Sequence, residues 1–105
     1  MIILHDPSCA EYGSHMRPEQ PARIQRAVPY LQAAHPDWEW RLPGPLDEAV
    51  LLTAHTPALL QRITHGPDID DDTPYFPGLH LHARRAVAAA LDAAPLALAG
   101  KKAFA

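Results

Sequence analysis

The chain reads as an α/β protein with a mainly parallel sheet flanked by helices. Three observations predict this. Strand-like segments stand at Met1 to Leu4, at Trp38 to Leu42 and at Ala103 to Ala105. Apolar residues at helical spacing fill the intervals, and strands that alternate with helices build parallel sheets through crossovers. The 12 prolines cut the chain into short elements and many loops.

Met1-Ile2-Ile3-Leu4 is a short buried strand at the start. His5 to Pro21 is a long loop marked by Pro7, Gly13 and Pro18, and loops of that length in a compact domain are often functional. Pro21 suits a first helical position. Ile24, Ala27, Val28 and Leu31 then recur at helical spacing, predicting an amphipathic helix to about His35 that Pro29 should kink or break. Trp38 to Leu42 alternates and closes at Pro43-Gly44-Pro45, as a short strand does. Asp47 caps a helix over Glu48 to Thr53, and a further helix runs from Pro57 to Thr64 before Gly66-Pro67. Asp68 to Pro77 is an acidic loop. The strongest helical signal is the last, Leu79 to Ala94. Its stripe is Leu79, Ala83, Ala86, Val87, Ala90, Leu91 and Ala94, with Arg84, Arg85 and Asp92 off it and Pro95 ending or bending it. Ala103-Phe104-Ala105 is a strand just beginning.

The 105 residues allow one domain or part of one, and an apolar fraction of 48% is that of a folded chain. The net charge is −3 with histidines neutral. No Lys/Arg cluster offers the phosphate neutralisation that nucleic acid binding requires. The single cysteine, Cys9, allows no intrachain disulfide and fits a reducing compartment. Neither a signal peptide nor an apolar run of membrane-spanning length is present, so a cytoplasmic location is expected.

Seven histidines invite a metal reading. His80 and His82 form the tightest pair, but residues two apart on a helix point in different directions and chelate poorly. Ordinary surface or loop histidines are the plainer reading. Asp68-Ile69-Asp70-Asp71-Asp72 resembles the start of a calcium loop. Such loops need Gly at position six and Glu at position twelve, where this chain has Thr73 and Leu79. A solvated acidic loop fits better. Cys9 has no base or orienting partner nominated by the sequence and reads as an unreactive thiol.

Taken in order, several segments carry a resemblance. The first strand leads into His5-Asp6-Pro7. His15-Met16-Arg17-Pro18-Glu19-Gln20-Pro21-Ala22-Arg23-Ile24 resembles the H-P-E-x-P-x-R-I segment of histone deacetylases and their bacterial relatives, with Met16 and Arg17 inserted after the His. Leu51-Leu52-Thr53-Ala54-His55-Thr56-Pro57-Ala58-Leu59-Leu60 is similar to the family's L-x-x-V-H-s-p-x-Y-L, with Leu59 at the Tyr position. Asp71-Asp72-Thr73-Pro74 resembles the loop before the family's long alanine-rich helix, and Gly100 to Ala105 resembles the strand entering the active site. Acetoin-utilisation and acetylpolyamine deacetylases share the pattern, which covers nearly the whole chain.

The resemblance implies an arginase/deacetylase-type fold, with residues 1–105 as the N-terminal portion of a single domain. In the family a metal-activated water attacks an acetyl amide. The histidine pair for acid–base catalysis, the Asp, His and Asp that hold zinc and the carbonyl-polarising Tyr would all follow Ala105. No catalytic residue and no metal ligand is therefore expected here, and zinc belongs to the complete enzyme. Two positions match family functional residues. Asp72 corresponds to a rim aspartate that accepts hydrogen bonds from substrate amides. Arg23 corresponds to an arginine lining the internal channel that serves product exit.

Two functions are expected on this reading. The first is the N-terminal segment of a zinc-dependent deacetylase acting on acetyl-lysine, acetylpolyamine or a similar acylamide, inactive on its own. The second is a non-catalytic interaction module derived from that fold, which would self-associate or need a partner. Membrane and direct nucleic acid partners are not expected on either.

Overall fold

The computed structural model describes residues 1–13, 17–18 and 20–105. His15, Met16 and Glu19 of the H-P-E-like segment lie outside the described residues.

Strand β1 is Ile2–Leu4, and its three side chains are all buried. It leads into a 3-10 turn at Pro7–Glu11, where the Asp6 side chain accepts from the Ser8 N–H at 2.9 Å. Helix α1 spans Pro21–Ala34 with proline at its start, and strand β2 is Glu39–Arg41. Helix α2, Glu48–Leu51, is capped by Asp47, which accepts from the Ala49 N–H. Helix α3, Pro57–His65, is capped by Thr56 and ends at Gly66, whose φ of 77° suits a residue without a Cβ. Helix α4 spans Leu79–Leu98, and strand β3 is Ala103–Phe104.

The fold is α/β with a three-stranded parallel sheet in the order β2-β1-β3. The path explains the order. One crossover through α1 carries the chain from β1 to β2 on one side. The next, through α2, α3 and α4, carries it back past β1 to β3 on the other. Because α4 returns the chain to the start of a parallel strand, its N-terminus lies towards the carboxyl ends of the strands.

The core lies between the sheet and α4, where Ile2 and Leu4 pack against Ala89 with Ala93 and Leu96 beside it. Alternate β1 residues point to one face, so Ile2 and Leu4 meet α4 while Ile3 lies on the other face. Leu51, Leu60 and Leu79 are buried outside this cluster.

Several expectations need correction. The face of α4 against the sheet is Ala89, Ala93 and Leu96, not the stripe through Ala83, Ala90, Leu91 and Ala94, all of which are exposed. Alanine occurs all round this helix, so apolar period alone does not choose a face. Pro29 does not break α1 and Pro95 does not end α4, since both sit inside continuous helix. Each removes the N–H that would bond the carbonyl four residues earlier, on Gln25 and Leu91. Both of those residues are exposed, so water can take the freed carbonyls. Helix α2 stops at Leu51 instead of Thr53, and the expected loop after β1 contains the 3-10 turn. Helix α1 buries only Pro21; Ile24, Val28 and Leu31 are half-buried and Ala27 is exposed. Among the described residues no helix is long and apolar enough to cross a membrane.

Candidate functional site at the carboxyl end of the central strand

Strand order reverses at β1, since one crossover leaves it to one side and the next passes to the other. In open parallel sheets the crevice outside the carboxyl ends at such a point is where ligands bind. Here the chain leaves β1 through His5 and Asp6 into the 3-10 turn. The turn packs against both α1 and α4.

A cavity of about 360 Å³ opens among these three elements. Cys9 and Tyr12 come from the turn, Gln20, Arg23 and Ile24 from the start of α1, and Leu79, His82, Ala83 and Ala86 from α4. Its walls are mainly apolar with a few polar groups converging, the usual character of a small-molecule site.

One lining residue, His82, ends a chain of polar contacts whose other members do not line the cavity. Asp6 accepts from both the main-chain N–H and the hydroxyl of Ser8. Its other oxygen stands 3.2 Å from Arg85 Nε. Arg85 in turn places a terminal guanidinium nitrogen 3.4 Å from His82 Nδ1. A guanidinium only donates, so His82 Nδ1 is the acceptor and the ring proton sits on Nε2. The ring of His82 also lies 5.5 Å from that of Tyr12 and 6.1 Å from that of Phe76, in tilted contacts.

These contacts set the protonation states. The Ser8 hydroxyl bond, with further help from Arg85, holds the Asp6 carboxyl below the usual carboxylate range. Burial first and the Arg85 charge second push His82 down, favouring neutral imidazole. Burial also lowers His5, opposed by Asp6. The Cys9 thiol is pushed up by burial and then by Asp6, in keeping with the unreactive thiol expected from sequence.

The two residues singled out by resemblance fall in different places. Arg23 is exposed and lines the cavity. Asp72 is not among the lining residues. It sits exposed in the acidic loop, whose main chain is pinned by arginines. Arg17 donates to the carbonyls of Asp71 and Asp72, at 3.2 and 2.9 Å from one nitrogen. Arg62 donates to the carbonyls of Asp68 and Ile69 at 2.7 and 2.8 Å. Asp70 folds back to accept from the N–H groups of Asp72 and Thr73, and Asp68 accepts from Tyr75 N–H. The carboxylates of Asp68 and Asp70 thus hold the loop, which leaves the exposed Asp72 carboxylate available.

Sequence reasoning missed the Asp6–Arg85–His82 chain and the Arg17 clamp. Asp6-Pro7-Ser8 carried a local capping signal. Arg85 and Arg17 reach partners far away in sequence, and nothing local announces such contacts. His80 also departs from an ordinary surface histidine, since its Nδ1 is buried without a hydrogen-bond partner.

Among the described residues no group of three or more His, Cys, Asp or Glu side chains is arranged to hold a metal ion. No protein-family model, curated protein or solved structure matches this chain.

Proposed function

We propose that residues 1–105 form the N-terminal part of a zinc-dependent deacetylase-type domain of arginase/deacetylase fold. The complete enzyme would hydrolyse acetyl-lysine, acetylpolyamine or a similar acylamide. The observation that carries this reading is Arg23 on the wall of a cavity at the carboxyl end of β1, the residue that the resemblance assigns to a product channel. The positive charge of a guanidinium there attracts a carboxylate product. Asp72 supports the reading from the loop. Its main chain is fixed by Arg17 while its side chain is exposed, and an ionised carboxylate only accepts, as a rim group for substrate N–H donors must.

On this reading the chain alone turns over no acetylated substrate. The test is to isolate the native species that carries this chain and assay it on an acetyl-lysine peptide and on an acetylpolyamine. Amide hydrolysis that is lost on chelation is expected. Asp72→Ala should raise KM with a smaller effect on kcat, and Arg23→Ala should slow turnover. A native species with no amide hydrolysis on either substrate would overturn the proposal.

A second reading, the non-catalytic interaction module, is favoured by exposed apolar groups. Leu98 is 90% exposed and Phe104 in β3 is 65% exposed, and the α1 stripe is only half-buried. Large exposed apolar groups and an open strand edge invite a partner. A stable partner co-purifying with a catalytically silent native species is its expected sign.

A further inference from the structure

Strand β2 is the outer strand on one side of the sheet. Its inner side is occupied. Glu39 N–H donates to the Met1 carbonyl at 2.9 Å, and the Arg41 carbonyl accepts from His5 N–H at 2.9 Å. Main-chain groups of successive strand residues point to opposite sides, so the Trp40 N–H and C=O face the open edge. Among the described residues no strand pairs with that edge.

One central residue with both groups facing outward is what antiparallel pairing across a two-fold axis uses. Two copies of Trp40, set opposite each other, exchange both N–H···O bonds. The same register sets Glu39 opposite Arg41 of the second copy and Arg41 opposite Glu39 of the second copy. It also sets Trp38 opposite Leu42, which is 69% exposed. Glu39 and Arg41 share one face of the strand, both exposed, and bond each other at 2.6 Å. Edges guarded against self-pairing are very short or carry charged side chains, lysines above all, or proline, and β2 is itself only three residues long. This edge carries one charge of each sign, at two positions that a two-fold axis interchanges.

We propose that β2 is a self-complementary edge at which two copies of this chain join, merging their sheets into one across a two-fold axis. The charge pattern selects a second copy over an unrelated strand, because the copy meets both charges with their opposites. The proposal is independent of the deacetylase reading.

The test is sedimentation velocity of the chain from about 1 to about 200 µM, a range that captures micromolar association. A reversible monomer–dimer equilibrium is expected. E39R and R41E, each alone, set like charges opposite at both ends of the pairing and should weaken the dimer at least about tenfold. An equimolar mixture of the two variants meets only opposite charges and should restore it. Far-UV circular dichroism of each variant should match the parent. A chain that stays monomeric throughout overturns the proposal. A dimer indifferent to both substitutions also overturns it and moves the interface elsewhere, for example to Phe104. Loss in both variants without restoration in the mixture overturns it as well.

Discussion

Asp6 does two jobs with its two oxygens. One caps the 3-10 turn after β1 and the other meets Arg85 on α4. The cap matters more, because partly exposed ion pairs contribute little. Asp6→Ala should cost about 1 kcal/mol in urea unfolding, the usual worth of a cap, and Asp6→Asn should cost less because it keeps an acceptor for the Ser8 N–H. Equal losses for Ala and Asn would instead give the weight to Arg85. The histidines fix a pH dependence. His82 faces Arg85, Asp6 and Glu11, and both His5 and His82 titrate below the ordinary imidazole value. As pH falls through about 6.5 the unfolded chain binds protons before the folded chain does. Stability is therefore higher above that pH and declines below it. Asp6 has the same sign further down, its contribution lost as pH falls below the ordinary carboxylate range towards its lowered folded value. The urea midpoint should be lower at about pH 5.5 than at about pH 7.5, and His82→Gln should shrink the difference. A higher midpoint at the lower pH would contradict the protonation states assigned here. At this scale the sequence singled out Arg23 and Asp72 only through the motif resemblance, and of the two the structure puts Arg23 on the cavity wall and Asp72 away from it. The Arg17 clamp on Asp71 and the Arg85–Asp6 pair were illegible, because their partners lie 54 or more residues apart in sequence.

Helix α4 is the element on which the fold turns, and its orientation separates two readings of the same sequence. The apolar stripe through Ala83, Ala90 and Leu91 looked outward, while Ala89, Ala93 and Leu96 met Ile2 and Leu4. Ala89→Leu forces extra methylenes against β1 and should cost about 1–3 kcal/mol. Leu91→Ser, on the exposed face, should stay within about 0.5 kcal/mol. Chemical denaturation of the two variants distinguishes the faces, and the reverse ranking would mean the helix is rotated from its position here. Most elements were legible because their ends carry strong local chemistry: Pro21 and Pro57 at first positions, Asp47 as a cap, Gly66 as a stop. Neither internal proline interrupted its helix, since a helix tolerates a lost hydrogen bond where water replaces it.

At the scale of the whole molecule, the α/β class and the parallel sheet followed from strands set between helices. The order β2-β1-β3 did not, because strands of three and two residues carry too little pattern to fix their neighbours. That order is what makes β1 the point of reversal, puts the cavity beside Arg23, and leaves β2 at an open edge. The proposed function makes this α/β unit the opening portion of a larger deacetylase-type domain. Intact mass spectrometry of the protein isolated from its native source tests it most directly. A mass well above the 11.5 kDa of these residues is expected, with the added sequence carrying the histidine pair and the zinc ligands. A native mass of 11.5 kDa would contradict it and leave a non-catalytic partner-binding protein as the reading to pursue.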